Sequence, residues 1–209
     1  GSSGGARPKI LTEVDGEDWI IKFPSSDDSK DIGKIEYDYA ICAKECGIEM
    51  EEVRLFESKK CMGYFGTKRF DRKKQGDNYR VHMVSAAGLL ETSHRVPNLD
   101  YNTLMRLTLQ LTKSMEDCEK LFRIMCFNVY AHNRDDHSKN FSYLYDDKEA
   151  QWHLSPAYDL TYSNSIAGEH ATMVNGNGPN PSEDDVLAVA EKIGLNLVKA
   201  KRESKKINR

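Results

Sequence analysis

Residues 121–147 read LFRIMCFNVYAHNRDDHSKNFSYLYDD, and a helix pattern and a strand pattern meet there across eight polar-rich residues. Leu121, Phe122, Met125, Cys126 and Val129 recur at the spacing of one helix face, which predicts an amphipathic helix over 116–132. From Phe141 the pattern becomes that of a strand, FSYLYDD, which with AQWHLSPAYDL (150–160) predicts a hairpin bracketing Asp146 and Asp147. Between the two stands NRDDHSKN, Asn133 to Asn140, with adjacent aspartates, a histidine, a lysine and an asparagine. A loop that only reverses the chain needs one or two polar residues and is made more simply with Gly or Pro, neither of which is present. The cluster is therefore either a solvated turn or a site.

Toward the N-terminus, LDYNTLMRLTLQLTK (99–113) predicts a second amphipathic helix, with Asp100 and Ser114 as capping residues. Earlier, DWIIKFPSS (18–26) alternates Trp19, Ile21 and Phe23 with polar neighbours, a strand that puts Lys22 on the opposite face. SKDIGKIEYDYAICAKECGI (29–48) predicts a helix with Ile35, Tyr39, Cys42, Ala43 and Cys46 at helical spacing, Glu36 in its first turn and Gly47 as its stop. EVRLFES and CMGYFGTKRF then read as strands around a turn at 58–60. The order is that of a mostly antiparallel α+β lobe over residues 1–71. A charged connector, RFDRKKQGDNYR, leads into a mainly helical lobe over 72–209. Beyond the hairpin, TYSNSIAGEHATMVNGNGPNP reads as loop, and two short helices from about Ser182 end in the basic tail VKAKRESKKINR, a solvated helix end. His153 and His170 are expected on strand and loop surfaces.

Composition excludes several classes. With 209 residues, 39% apolar and 30% charged, the chain suits one ordinary domain or two small lobes sharing a cleft. A net charge of −3 supplies no global basic field for nucleic acid. Five cysteines without a CxxC pair fit neither a disulfide framework nor a zinc site, and Cys42 and Cys46 are expected as buried thiols. No apolar run approaches the roughly 18 residues of a membrane helix. A cytoplasmic protein with no membrane partner is expected.

A small sheet lobe, a connector and a helical lobe outline a bilobal protein-kinase-like fold, and the polar residues can be set against that chemistry. Phosphoryl transfer from ATP needs a phosphate cradle, a lysine on the phosphates, an aspartate at the attacking hydroxyl and Mg²⁺ ligands. Protein kinases place the aspartate and one metal ligand as D-x-x-x-x-N, and Asp135 and Asn140 have that spacing. Asp159, in SPAYDL, stands where the second metal ligand belongs, and Lys22 followed by Glu36 repeats the order of the kinase lysine–glutamate pair. A carboxylate with an amide oxygen suits a hard cation, and a lysine is a compact charge for phosphate oxygens. GSSGGARPKI, residues 1–10, holds a Gly-rich stretch whose backbone N–H groups could cradle phosphates, with Lys9 beside it. Asp136 is read either as a carboxylate that orients the loop or as a direct participant, and His137 as a supporting residue.

Taken together, GGARPK, WIIKFPS, RFDR, FNVYAHNRDDHSKNFSYLYD and LSPAYDL resemble, in order, the kinase region of the HipA-type toxin kinases of bacteria, including the short HipT-like branch. The resemblance implies a serine/threonine protein kinase that uses ATP and Mg²⁺, with Asp135 catalytic and Asn140 and Asp159 on the metal. It implies Lys22, Gly4, Gly5, Ala6 and Lys9 around ATP, the interlobe backbone of Arg69, Phe70 and Asp71 at adenine, and autophosphorylation of the Gly-rich loop at Ser2. An aminoacyl-tRNA synthetase as protein substrate, growth arrest, and an antitoxin with a helix-turn-helix domain through which DNA is met are also implied. Lys68 departs from the acid often found there, and RVHMVSAAGLL (80–90) matches only loosely. The family commonly has a further N-terminal subdomain, expected either ahead of this sequence or as a separate small protein. Two other classes stand beside an active kinase: a catalytically silent kinase-fold binding or regulatory module, and a metal-dependent phosphohydrolase built on Asp135, Asp136 and His137. The second needs more ligands than the cluster supplies.

Overall fold

A computed structural model describes residues 7–72, 80–91, 99–164 and 168–208. The described chain opens on a hairpin of β1 (Lys9–Val14) and β2 (Glu17–Lys22). Asp15 and Gly16 both have positive φ, 52° and 78°, the geometry that Asp-Gly favours in a two-residue hairpin turn. Helix α1 (Ile32–Glu45), β3 (Val53–Phe56) and β4 (Tyr64–Lys68) follow, and the described strands of this lobe form an antiparallel sheet in the order β1-β2-β4-β3. Trp19 and Ile21 are buried, so Lys22 projects from the other face, as its alternation requires.

Gly33 decides how close α1 comes to this sheet. A Cβ on Gly33 would lie 2.3 Å from the carbonyl oxygen of Gly63, so the first turn of α1 crosses the start of β4 in backbone contact. The buried face of α1 runs through Gly33, Glu36, Ala40 and Ala43. That face corrects two expectations. Glu36 lies in the second turn, because the helix starts at Ile32, and Cys42 is exposed while Cys46 is half-buried, because the stripe is rotated toward Ala40 and Ala43. Gly47, at φ 83°, ends the helix.

The rest of the described chain is β5 (Met83–Ser85), α2 (Ala86–Leu90), β6 (Leu99–Asp100), α3 (Tyr101–Thr112), α4 (Met115–Tyr130), a 3₁₀ turn (Ser138–Asn140), β7 (Ser142–Asp146), β8 (Gln151–Leu154), β9 (Thr172–Met173), α5 (Glu183–Ile193) and α6 (Leu197–Ile207). Asp100 and Ser114 cap α3 and α4 through the amides of Asn102 and Asp117. Helix α4 is buried on nearly every side, so Asn128 is a polar residue in the centre of the larger core. Antiparallel β7 and β8 form the expected hairpin, and β5 joins its free edge. A short parallel pairing of β6 with β9 holds the chain after Asp159 against the start of α3. No helix among the described residues is long and apolar enough to cross a membrane.

Helix α1 spans both cores. Ala40 packs with Val53 and Phe65 in the small lobe, whereas Ala43 belongs to the large core. The Tyr39 hydroxyl donates to the carbonyl of Ala131 at 3.1 Å, just beyond α4, and its ring meets Phe127 edge-on. The amide of Ala157 donates to the carbonyl of Glu49 at 2.8 Å. One helix thus ties the sheet, through Glu36, to the end of α4, through Tyr39.

Gly33→Ala is expected to destabilise the protein by about 1–3 kcal/mol, the usual cost of overpacking. Urea unfolding checks this, and a native urea midpoint would contradict the close crossing.

Candidate active site

Lys22 lies at the C-terminal end of β2, with its side chain 12% exposed, and its ammonium donates both to Glu36 Oε1 and to Asp159 Oδ1. The acceptors come from different lobes, 14 and 137 residues away in sequence. Burial alone would lower the Lys22 pKa, but Asp159 and Glu36 raise it well above the ordinary lysine value, so it stays charged. On Asp159 burial works upward, and Lys22 overcomes it, with help from Lys9 and His137, to hold this carboxyl below the usual range. Lys9 faces Lys22 across the β1–β2 ladder and therefore sits on the same face of the sheet.

Asp159 has φ 56°, the left-handed region, which Asp tolerates better than most residues. The residue before it is anchored. Tyr158 donates its hydroxyl to the carbonyl of Lys139 at 2.7 Å and lies 2.6 Å from the Ser142 hydroxyl. Burial pushes the Tyr158 phenol up to about 12, so it remains a donor. The turn carrying Asp159 is thereby fastened to the loop carrying Asn140.

On that loop, the side chain of Asp135 is 64% exposed and that of His137 24%. Residual burial in the cleft raises the Asp135 pKa, His137 lowers it, and Asp159 and Asp136 raise it further. His137 Nε2 is 3.8 Å from Asp135 Oδ1, a charge neighbour beyond hydrogen-bond distance. Asn140 donates Nδ2–H to the carbonyl of Asp135 at 2.8 Å, which leaves its Oδ1 as the acceptor end. The Asn140 amide oxygen and the Asp159 carboxylate are the oxygen donor types that suit Mg²⁺, a hard ion that keeps several waters. Among the described residues, no group of three or more His, Cys, Asp or Glu gathers into an all-protein cage.

At the interlobe connector, Asp71 accepts from Arg69 at 2.8 and 2.6 Å and from Arg72 at 2.6 Å. Phe70 packs on Tyr158 with centroids 5.5 Å apart, so an aromatic surface adjoins Asp159. Gly4, Gly5, Ala6 and Ser2 lie outside the described residues.

Several contributors were not foreseen. Arg7 reaches Asp28 at 3.1 Å and Glu36 at 3.6 Å, bracing the carboxylate that holds Lys22. His170, expected on a surface, is 2% exposed and meets Asp136, because the chain after Asp159 folds back under the polar loop. Asp136 itself is 1% exposed, held from below by Tyr101 and Thr172. The rest of that support, Asn128 and Asn133, is visible in sequence only as polar residues within or next to a buried helix.

A small antiparallel lobe and a helical lobe, joined where Lys22 pairs with Glu36 and Asp159, define a bilobal protein-kinase-like architecture. The chain belongs to the HipA-like C-terminal domain family, whose profile matches residues 1–209. It is 28% identical over 178 residues to Y4dM of Sinorhizobium fredii, a protein designated a kinase by inference; the match takes in 79% of this chain and 42% of that one. The structure is similar to HipA of Shewanella oneidensis, solved with HipB and operator DNA, at TM-score 0.75 and 18% identity, covering 99% of this chain and 55% of that one. It is also similar to the proinflammatory kinase CtkA of Helicobacter pylori, at TM-score 0.66 and 15% identity, covering 100% and 87%. The chain therefore spans about half the length or less of Y4dM and of HipA.

The connector gives a pH test. The lowered pKa of Asp71 arises against its burial, through Arg69 and then Arg72. Such a carboxylate stabilises the fold above its unfolded pKa, and that contribution is lost as pH falls through the folded value. Asp71→Asn should therefore melt lower than wild type at pH 7. The gap should begin to narrow below the ordinary value of 3.8 and close under the depressed one. A gap that stays constant down to pH 2 would contradict the ion pair.

Proposed function

We propose that this chain is the kinase region of a HipA-type toxin, a cytoplasmic serine/threonine protein kinase dependent on ATP and Mg²⁺. The observation that carries the reading is Lys22, held by Glu36 and Asp159 at once across the cleft, with Asp135 and Asn140 on the facing loop. Structural ion pairs on a surface do not need that convergence. A nucleotide site does, because the triphosphate offers Lys22 replacement anions and releases Asp159 to a metal. We assign the lobes to residues 1–71 and 72–209, with adenine against the backbone of Arg69–Asp71 and Phe70.

Asp159 and Asn140 would hold Mg²⁺, which when bound neutralises charge on the phosphate oxygens. Lys22 binds phosphate oxygens, Glu36 keeps Lys22 in place, and Arg7 braces Glu36. Lys9, with the amides of Gly4, Gly5 and Ala6 that the family resemblance implies, would meet the triphosphate. Asp135 accepts the proton of the attacking serine or threonine hydroxyl, whose oxygen forms the new bond to the γ-phosphorus. The bond from that phosphorus to the β–γ bridging oxygen breaks, and its electron pair leaves with ADP. His137, a charge neighbour, helps keep Asp135 ionised. An aminoacyl-tRNA synthetase is the proposed acceptor, a helix-turn-helix antitoxin the proposed partner, and Ser2 the proposed site of autophosphorylation.

Two substitutions separate binding from transfer. A ligand at a hundred times its dissociation constant stabilises the native state by about 2.7 kcal/mol, so Mg-ATP should raise the wild-type melting temperature by several degrees. Asp159→Asn should lose most of that rise, and an undiminished rise would show that the ligand is misassigned. Asp135→Asn should keep the rise and lose about 10²- to 10⁴-fold in transfer, the contribution of a positioned base. Transfer near the wild-type rate in that variant would remove Asp135 from the role.

A further inference from the structure

The inference here rests on the kinase reading and concerns a residue that touches neither nucleotide nor acceptor. Beneath the exposed carboxylate of Asp135 lies a second carboxylate, Asp136, at 1% exposure. Its Oδ2 accepts from the Tyr101 hydroxyl at 2.9 Å and lies 3.1 Å from His170 Nδ1. Its Oδ1 accepts from the amide of Thr172 at 3.1 Å. Tyr101 also accepts from Asn128 at 2.9 Å, and Asn128 accepts from Asn133 at 2.9 Å. Tyr101, Asn128, Asn133, Asp136, His170 and Thr172 are all buried.

The backbone around Asp135 is held in step with this network. The carbonyl of Arg134 accepts from the amide of Ala171 at 3.1 Å. The carbonyl of Asp135 accepts from Asn140 at 2.8 Å, and that of Asp136 accepts from the Thr172 hydroxyl. Three consecutive carbonyls are thus fixed, two of them by residues 171 and 172, which continue into the β6–β9 pairing. Asp135 keeps an exposed side chain on a backbone pinned from both sides. We infer that Asp136 is a positioning residue. It ties the segment 170–172 to the polar loop and so sets where the Asp135 carboxylate stands for the acceptor hydroxyl.

The physical reason is distance. Misplacing a reacting group by about 1 Å can cost on the order of 10²-fold in rate. An exposed carboxylate on an unsupported loop has nothing of its own to prevent that drift. A buried carboxylate with several donors is costly to rearrange, since each freed donor would lack water.

Single-turnover transfer from γ-labelled ATP and amide hydrogen exchange over residues 133–140 test this together, on wild type, Asp136→Asn, Thr172→Val and Thr172→Ser. Asp136→Asn should lose about 10- to 100-fold in transfer with Mg-ATP affinity changed less than about twofold, and exchange should rise over 133–140. Thr172→Val, which keeps the shape and the amide but removes the hydroxyl, should lose transfer in the same direction and serves if Asp136→Asn does not fold. Thr172→Ser should recover transfer relative to Thr172→Val. In an Asp135→Asn background, Asp136→Asn should cost less than about twofold more, since the two act as one unit.

Equal losses in both backgrounds would overturn the inference. So would wild-type transfer and exchange in Asp136→Asn and Thr172→Val, or a loss of nucleotide affinity in proportion to transfer. If the wild-type protein transfers nothing, the kinase reading fails, and the exchange data still decide whether Asp136 holds the loop.

Discussion

One buried ammonium carries the relation between the two lobes. Lys22 reaches Glu36 within its own lobe and Asp159 in the other. Neither carboxylate would be stable so near the other without the positive charge between them. Removing Glu36, the buried partner, would cost about 3–5 kcal/mol because an uncompensated charge is left behind, and removing the part-exposed Asp159 less, because solvent screens it. Other contacts make the arrangement possible. Gly33 lets α1 approach the sheet until Glu36 comes within reach, Arg7 braces the outer oxygen of Glu36, and Tyr158 fixes the residue before Asp159.

On the proposed reading, the same arrangement would let the cleft respond to nucleotide. A salt bridge that spans two lobes is held by whichever anion reaches Lys22, and a triphosphate carries more negative charge than one carboxylate. Exchange of partners at Lys22 would couple nucleotide binding to the freedom of Asp159. The polar loop does not share that freedom. Its carbonyls are satisfied and its buried carboxylate is surrounded by donors. The site therefore joins an ion pair between the lobes to a loop held by its own hydrogen bonds.

How much of this was legible in the sequence depends on the distance over which each signal acts. Asp135 and Asn140 could be read because five residues of loop bring them together, and Lys22 because strand alternation fixes its face. The two helices and their caps at Asp100 and Ser114 follow from local periodicity and local hydrogen bonding. Strand β1 went unread although Asp15-Gly16 announces its turn, and the phase of α1 was misread at Cys42 because Gly33 and Glu36 do not look like buried residues. His170 and Thr172 gave no local signal at all. They sit in a Gly/Asn/Pro-rich stretch and acquire meaning only through Asp136, 34 and 36 residues earlier.

The central claim is that this cleft moves the terminal phosphoryl group of ATP. The most direct measurement incubates the protein and a bacterial lysate with ATP labelled either at the γ- or at the α-phosphorus, with Mg²⁺ or with a chelator. The account predicts covalent label on protein from γ-labelled ATP only, on serine or threonine, and none once Mg²⁺ is removed. Label from the α-position would mean nucleotidyl rather than phosphoryl transfer, and no label from either would mean a kinase fold that binds without reacting; each would contradict the account.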